Sequence, residues 1–343
     1  MLLDCNIGGA VDGTPGGDLA VVQNQVAEAW RLGYDGVWST EVGRDPFLPL
    51  MIACRAAPTL QLGTAVAIAF ARNPMTVAVT ANDLQAYSGG RFTLGLGSQV
   101  KAHVTRRYGM PWSEPAERMR EFIAALRAIW ACWQDESQLR FEGRFYQHTL
   151  MTPMFRPAPH EWAPPPVVLA AVGPRMLDVA ATVADGVLLH SFLTERYLAE
   201  TVLPVLEASL GASKRTRGEL AIHLPGLVAT GSCDRELAMA MDTVRAQVAF
   251  YGATPAYRGV LELHGLGGLH EELHRLSTKG EWHTMTRLVD AETLSLFAVV
   301  GTPAEAGAEI QRRFGGTVDR FTVSTPYPLS LEARRGLVAA VRG

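Results

Sequence analysis

A closed (β/α)8 TIM barrel is the fold class this sequence predicts, and three observations predict it. Short runs rich in Val, Leu, Ile and aromatic residues alternate with amphipathic stretches along the chain. Eight such runs are present. Several, such as Ala65-Val66-Ala67-Ile68-Ala69, are apolar on both faces, which suits parallel strands covered by helices better than half-exposed antiparallel ones.

In order, the runs are Leu2–Ile7, Gly36–Ser39, Gln61–Ala69, Phe92–Gly97, Val167–Ala171, Gly186–His190, Ile222–Ala229 and Arg320–Ser324. Helical periodicity marks Asp18–Leu32, Pro74–Ser88, Ala116–Trp133, Arg175–Val183 and Thr194–Leu210 between them. Two gaps exceed a single helix, approximately 98–166 after strand four and 231–319 after strand seven. Both read as insertions carrying extra helices over the barrel mouth. Pro157–Pro166 reads as an extended lead-in to strand five, because each proline fixes φ and removes a donor. The 343 residues therefore read as one domain spanning 1–343, a length α/β barrels reach with insertions.

A formal charge of −3 gives no drive toward nucleic acid or an anionic membrane, whose recognition needs concentrated Lys and Arg. Apolar runs such as Leu62–Phe70 are too short to span a bilayer, and Met-Leu-Leu-Asp-Cys lacks the basic start of a secretion signal, so a cytoplasmic location is expected. Cys5, Cys54, Cys132 and Cys233 are scattered without a C-x-x-C pair. They read as reduced, buried and inert.

Active sites of such barrels gather at the strand carboxyl ends. Polar groups converge there: Ser39-Thr40-Glu41 after strand two, Arg72-Asn73 after strand three, Ser98-Gln99-Val100-Lys101-Ala102-His103 after strand four and Gly173-Pro174-Arg175 after strand five. Glu41 is a candidate general acid or base, or a structural partner of Arg72 or Arg44. His103 could donate to a ring or protonate substrate, or simply face solvent. Arg118 and Glu121, three apart on one helix, could brace that loop. Gly173-Pro174-Arg175 stands where a strand meets a helix, so free N–H groups, the helix dipole and a cation could hold a phosphate. Tyr251, Tyr257, Trp282 and Met285 could line a substrate pocket under the second insertion or pack its core.

One rival motif must be weighed. His270-Glu271-Glu272-Leu273-His274 matches H-E-x-x-H, which sets two imidazoles a helical turn apart for zinc, but a third ligand such as Glu281, His283 or Glu292 is not diagnostic. Zinc hydrolysis is accordingly the remote alternative, and no metal is assigned.

Leu62-Gly63-Thr64-Ala65-Val66, Arg72-Asn73-Pro74, Gly90-Arg91-Phe92-Thr93-Leu94-Gly95-Leu96-Gly97, Ala184-Asp185-Gly186-Val187 and Phe297-Ala298-Val299-Val300-Gly301-Thr302-Pro303, in this order, resemble the luciferase-like monooxygenase family. Gly97 to His103 with Tyr251 to Tyr257 resembles its coenzyme F420-dependent branch. The resemblance implies a flavin-like ring in the barrel mouth, a non-proline cis peptide near Ala65–Val66 and a homodimer. It also implies hydride transfer between F420 and a small organic substrate. Contacts to the cofactor are then expected from Thr40, Ala65, Val66, Gly97, Ser98, Gln99, Lys101, Ala170, Ala171, Gly173, Pro174 and Arg175. Gly95 and Gly97 would let backbone approach the ring. An FMN-dependent two-component monooxygenase, with a flavin reductase partner, is the alternative. Relatives often carry Asp-His or His-His after strand two, where this chain has Thr40-Glu41, so the mechanism does not transfer directly.

Overall fold

A computed structural model of the chain describes residues 1–8 and 18–343. Eight strands form the barrel: β1 (Leu2–Ile7), β2 (Gly36–Ser39), β3 (Gln61–Thr64), β4 (Phe92–Gly97), β5 (Val167–Ala170), β6 (Gly186–Leu188), β7 (Ala221–Ala229) and β8 (Arg320–Ser324). Each pairs in parallel with the next, β6 pairs with β7, and β8 returns to β1 with Leu2 opposite Arg320, which closes the ring. The alternation of strand and helix expected from the sequence is thus the alternation observed.

Register separates two faces. Leu3, Val37, Leu62, Leu94, Leu169, Val187 and Phe321 belong to the large core shared with the surrounding helices. The partners Asp4, Gly36 and Arg320 point the other way, into the barrel. There, Arg320 Nε and Nη2 donate to the two carboxylate oxygens of Asp4 at 2.7 and 2.6 Å, and Trp38 Nε1 donates to Oδ2 at 2.9 Å. His223 meets the Trp38 ring edge-on at 5.1 Å. A Cβ on Gly63 would lie 2.1 Å from the Trp38 ring, so glycine at that position is what admits the indole.

The third strand differs from its reading. The run Gln61–Ala69 breaks after Thr64 at a cis peptide between Ala65 and Val66, then pairs again as Ala67–Ile68 with Leu96 and Gly97 of β4. The cis peptide stands where the family resemblance implied one, while the apolar run Ala65 to Ala69 carries no side-chain alternation that would mark the break. The stretch read as helix Thr194–Leu210 also changes form. It runs through a turn of π-helix at Leu198–Val202 before Leu203–Ala212, because Pro204 offers no N–H to the carbonyl one turn back. The helix Phe47–Ala56 between β2 and β3, whose Phe47 N–H is held by Asp45 Oδ1 at 2.9 Å, was not singled out in the sequence.

Both insertions lie where expected. The first carries helix Pro115–Gln134 and a two-stranded hairpin at Phe141–Glu142 and Gln147–His148. The second runs from helix Asp234–Gly252 to helix Ala291–Phe297 and has a core of its own, in which Val244, Val248, Leu273, Leu276 and Leu294 pack with Leu227 and Ala229 from β7. After it, Ala298–Val300 pairs with Leu227–Ala229, the carboxyl half of the same strand. Among the described residues no helix is long and apolar enough to cross a membrane. All four cysteines are free. Cys54 and Cys132 are buried as expected, whereas Cys5 is half-buried and Cys233, at a helix start, is exposed.

Candidate active site at the barrel mouth

Where β3 breaks, a side chain replaces the strand ladder: Thr64 Oγ1 donates to Gly95 O at 2.7 Å and accepts from Gly95 N at 2.9 Å. A Cβ on Gly95 would sit 1.8 Å from Thr64 O, and one on Gly97 would sit 2.6 Å from Val66 Cγ2. The two glycines therefore make room for the bulge of strand three itself. The result is a mouth wall of Val66, Gly97 and Ala170 from which no long side chain projects, Ala170 Cβ lying 3.7 Å from where a Gly97 Cβ would be.

Beside this wall, Glu41 ties three segments together. Its Oε2 accepts from Ile68 N at 2.7 Å and Arg72 Nη1 at 2.6 Å, and its Oε1 accepts from the Tyr108 hydroxyl at 3.1 Å. Arg72 also reaches Asp45 at 2.9 Å. Burial and the Glu41 carboxylate together push the Tyr108 phenol above its ordinary pKa. The loop after β4 is more open. Ser98 donates to Gln99 O, Gln99 takes a left-handed φ of 59° and caps Val100 N, and Lys101 and His103 are exposed. Arg118 and Glu121 brace a neighbouring part of that insertion. Arg118 holds Pro111 O and the Tyr146 hydroxyl, while Glu121 accepts the main-chain N–H groups of Arg144, Phe145 and Tyr146.

At the end of β5, Ala171 N donates to Leu188 O, and Gly173 precedes helix Pro174–Val183, whose start no side chain caps. Among the described residues a Cβ on Gly173 would meet nothing within 4 Å, which leaves the approach to these N–H groups open on their side. Arg175 projects into solvent with Glu117 at 3.5 Å, over a cavity of about 320 Å³ that Arg120 and Asp178 also line. Arg120 is committed to Asp178 and Thr182. Arg175 is thus the more exposed cation of this corner.

A model of the family described as luciferase-like monooxygenase matches residues 4–320. The chain belongs to the luciferase-like monooxygenase family. It is an oxidoreductase of that luciferase-like kind. An uncharacterized protein of Mycobacterium tuberculosis is 50% identical over 310 residues, covering 90% of this chain and 91% of the relative. A 5,10-methylenetetrahydromethanopterin reductase of Archaeoglobus fulgidus is 26% identical over 303 residues, 86% of each chain. Among solved structures, the coenzyme F420 dependent tetrahydromethanopterin reductase from Methanopyrus kandleri superposes with a TM-score of 0.78 at 18% identity, over 98% of this chain and 96% of that one, which shows the shared fold.

Against this luciferase-like frame, the rival motif finds another use. His270 Nδ1 bonds Gly252 O at 2.7 Å and His274 Nδ1 bonds Ala253 O at 2.9 Å, so the two stacked imidazoles satisfy carbonyls at the end of helix Asp234–Gly252. Among the described residues no three His, Cys, Asp or Glu side chains converge as a metal site. Trp282 stands half in solvent against Phe250, on the outside of the insertion, and Met285 is buried in the insertion core.

Tyr251 and Tyr257 instead converge on a residue that sequence reasoning left unweighed. His190, two positions beyond β6, is stacked on Tyr257 at 4.3 Å and meets Tyr251 edge-on at 4.7 Å. Its Nδ1 accepts from Phe192 N at 3.0 Å, and burial lowers its pKa to about 4. The signal was its place at a strand carboxyl end, the same criterion that picked out Glu41.

Proposed function

We propose that the chain binds coenzyme F420 at the barrel mouth and transfers hydride between the deazaflavin and a small organic substrate. The observation that carries this reading is the flush wall of Val66, Gly97 and Ala170 beside the open, uncapped helix start at Gly173. A flat ring can lie against the first, and an anionic tail can reach the N–H groups of the second. The likeness to a reductase that works on a methanopterin, and in fold to one named for F420, supports the deazaflavin. When bound, the cofactor supplies the hydride chemistry.

The chain does the rest. Ala65, Val66, Gly97, Ala170 and Ala171 shape the ring wall, Thr40, Ser98, Gln99 and Lys101 rim it, and Gly173, Pro174 and Arg175 hold the phosphate. Paired with Arg72, Glu41 serves as the group that orders the mouth and accepts a hydrogen bond from the Tyr108 hydroxyl. His103, exposed on the strand-four loop, carries protons between solvent and the site. The enzyme acts as a cytoplasmic homodimer. Exposed Leu48 and Met51 on helix Phe47–Ala56 and exposed Val79 and Tyr87 on helix Pro74–Ser88 supply an apolar face for the second subunit.

The deciding experiment titrates the purified apoprotein with F420 and, separately, with FMN, following each by fluorescence. Tight binding of F420 with weak binding of FMN is the expected result, and Arg175→Ala should weaken F420 about tenfold through the phosphate alone. Preference for FMN would replace this reading with a two-component monooxygenase fed by a flavin reductase.

A further inference from the structure

Resting on the F420 reading, we infer that His190, walled by Tyr251 and Tyr257, is the residue that receives the oxygen of an uncharged carbonyl substrate. Three observations converge on it. The main-chain N–H of Phe192 occupies Nδ1, which fixes the ring proton on Nε2, and Nε2 has no hydrogen-bond partner among the described residues. In register, Leu188 lies beside Ala170 of the ring wall, so the chain leaves β6 next to the proposed cofactor. Finally, the imidazole is clamped between two phenol rings, one stacked at 25° and one edge-on, so its donor has a set direction.

The chemistry of this donor selects the ligand. A neutral N–H satisfies a ketone or aldehyde oxygen. A carboxylate or phosphate would call for an imidazolium, which burial opposes here. The trio's neighbours are aromatic rings, the Phe192 amide and the Ser191 side chain beside Tyr251; no Lys or Arg is among them. Tyr251 and Tyr257 are themselves held neutral by burial, Tyr257 with its pKa raised to about 12. Flat or cyclic carbonyl compounds would stack on these rings while the oxygen meets Nε2–H.

The test uses protein labelled with ¹⁵N at histidine, with His190→Phe assigning the resonances. The probes are cyclohexanone, acetophenone and benzaldehyde, with benzoate as the charged counterpart. The inference expects the Nε2–H form at pH 6 and a saturable shift of the His190 Nε2 signal with at least one carbonyl probe and none with benzoate. In His190→Phe the affinity for that probe should fall about tenfold, while His190→Gln, which keeps a donor, should recover most of it. Failure of all three carbonyls to move the signal, an equal response to benzoate, or unchanged affinity in His190→Phe would each overturn it. F420 titration of the same samples separates the two readings: loss of F420 binding with the carbonyl response intact sinks the cofactor assignment alone.

Discussion

Glu41 illustrates how one carboxylate can order several segments at once. It accepts from a main-chain amide, a guanidinium and a phenol, so removing it strands a largely buried Arg72 and the Ile68 N–H together. Glu41→Ala should therefore cost about 3 kcal/mol in denaturant unfolding, and Glu41→Gln less, because its amide oxygen still serves Ile68. His190, partly buried, and His223, buried, set a second prediction. Burial lowers His190 to about 4, and burial with Arg320 nearby lowers His223 to about 3, against about 6.5 in the unfolded chain. Between those values the unfolded chain binds more protons than the folded one, so stability is full above pH 6.5 and falls as pH drops toward 4. Each histidine accounts for about 3 kcal/mol of that loss. In urea unfolding followed from pH 7 to pH 4, His223→Gln should show a flatter curve than the parent, and equal slopes would contradict the assignment.

At the scale of elements, the junction of β3 and β4 depends on Thr64 and Gly95 acting as a pair. Thr64→Val keeps the shape but leaves the Gly95 amide and carbonyl without partners, for a loss of about 2 kcal/mol. Gly95→Ala drives a methyl into the Thr64 carbonyl and should abolish F420 binding as well as stability, which fluorescence and unfolding would read on the same sample. The helix carrying the H-E-x-x-H spacing behaves as a cap for its neighbour. His270→Leu should cost about 1 kcal/mol, and chelation should leave the melting temperature unchanged; a chelator-induced drop would restore the metal reading. These elements also show what was legible beforehand. Strand and helix positions were readable because burial repeats with a fixed period, and Asn73-Pro74 at one helix start and Gly89 after its end announce their caps. The π-turn before Pro204 and the clustering of His190 with two tyrosines from another insertion were not, and the break at Ala65 was legible only through the family resemblance. Each depends on which distant backbone lies alongside, and periodicity carries no such information.

Taken whole, the molecule is a barrel whose amino end is plugged by the Arg320, Asp4, Trp38 and His223 group and whose carboxyl end is dressed by two insertions. If the exposed apolar residues on helices Phe47–Ala56 and Pro74–Ser88 meet a second copy, sedimentation should give twice the 37.1 kDa chain mass, and Met51→Glu should halve it. The long strand β7 has a consequence for traffic through the site. It pairs with β6 over Ala221 to His223, with β8 over His223 to Leu227 and with Ala298–Val300 over Leu227 to Ala229, so the second insertion leaves the barrel and comes back to it on one and the same strand. If the mouth holds the proposed site, a rim fastened at both its departure and its return is a wall, and the strand-four side, where Lys101, Ala102 and His103 stand in solvent, is the way in that it leaves. Molecules coming and going would therefore pass the strand-four loop first and meet His190 last, at the back of the room.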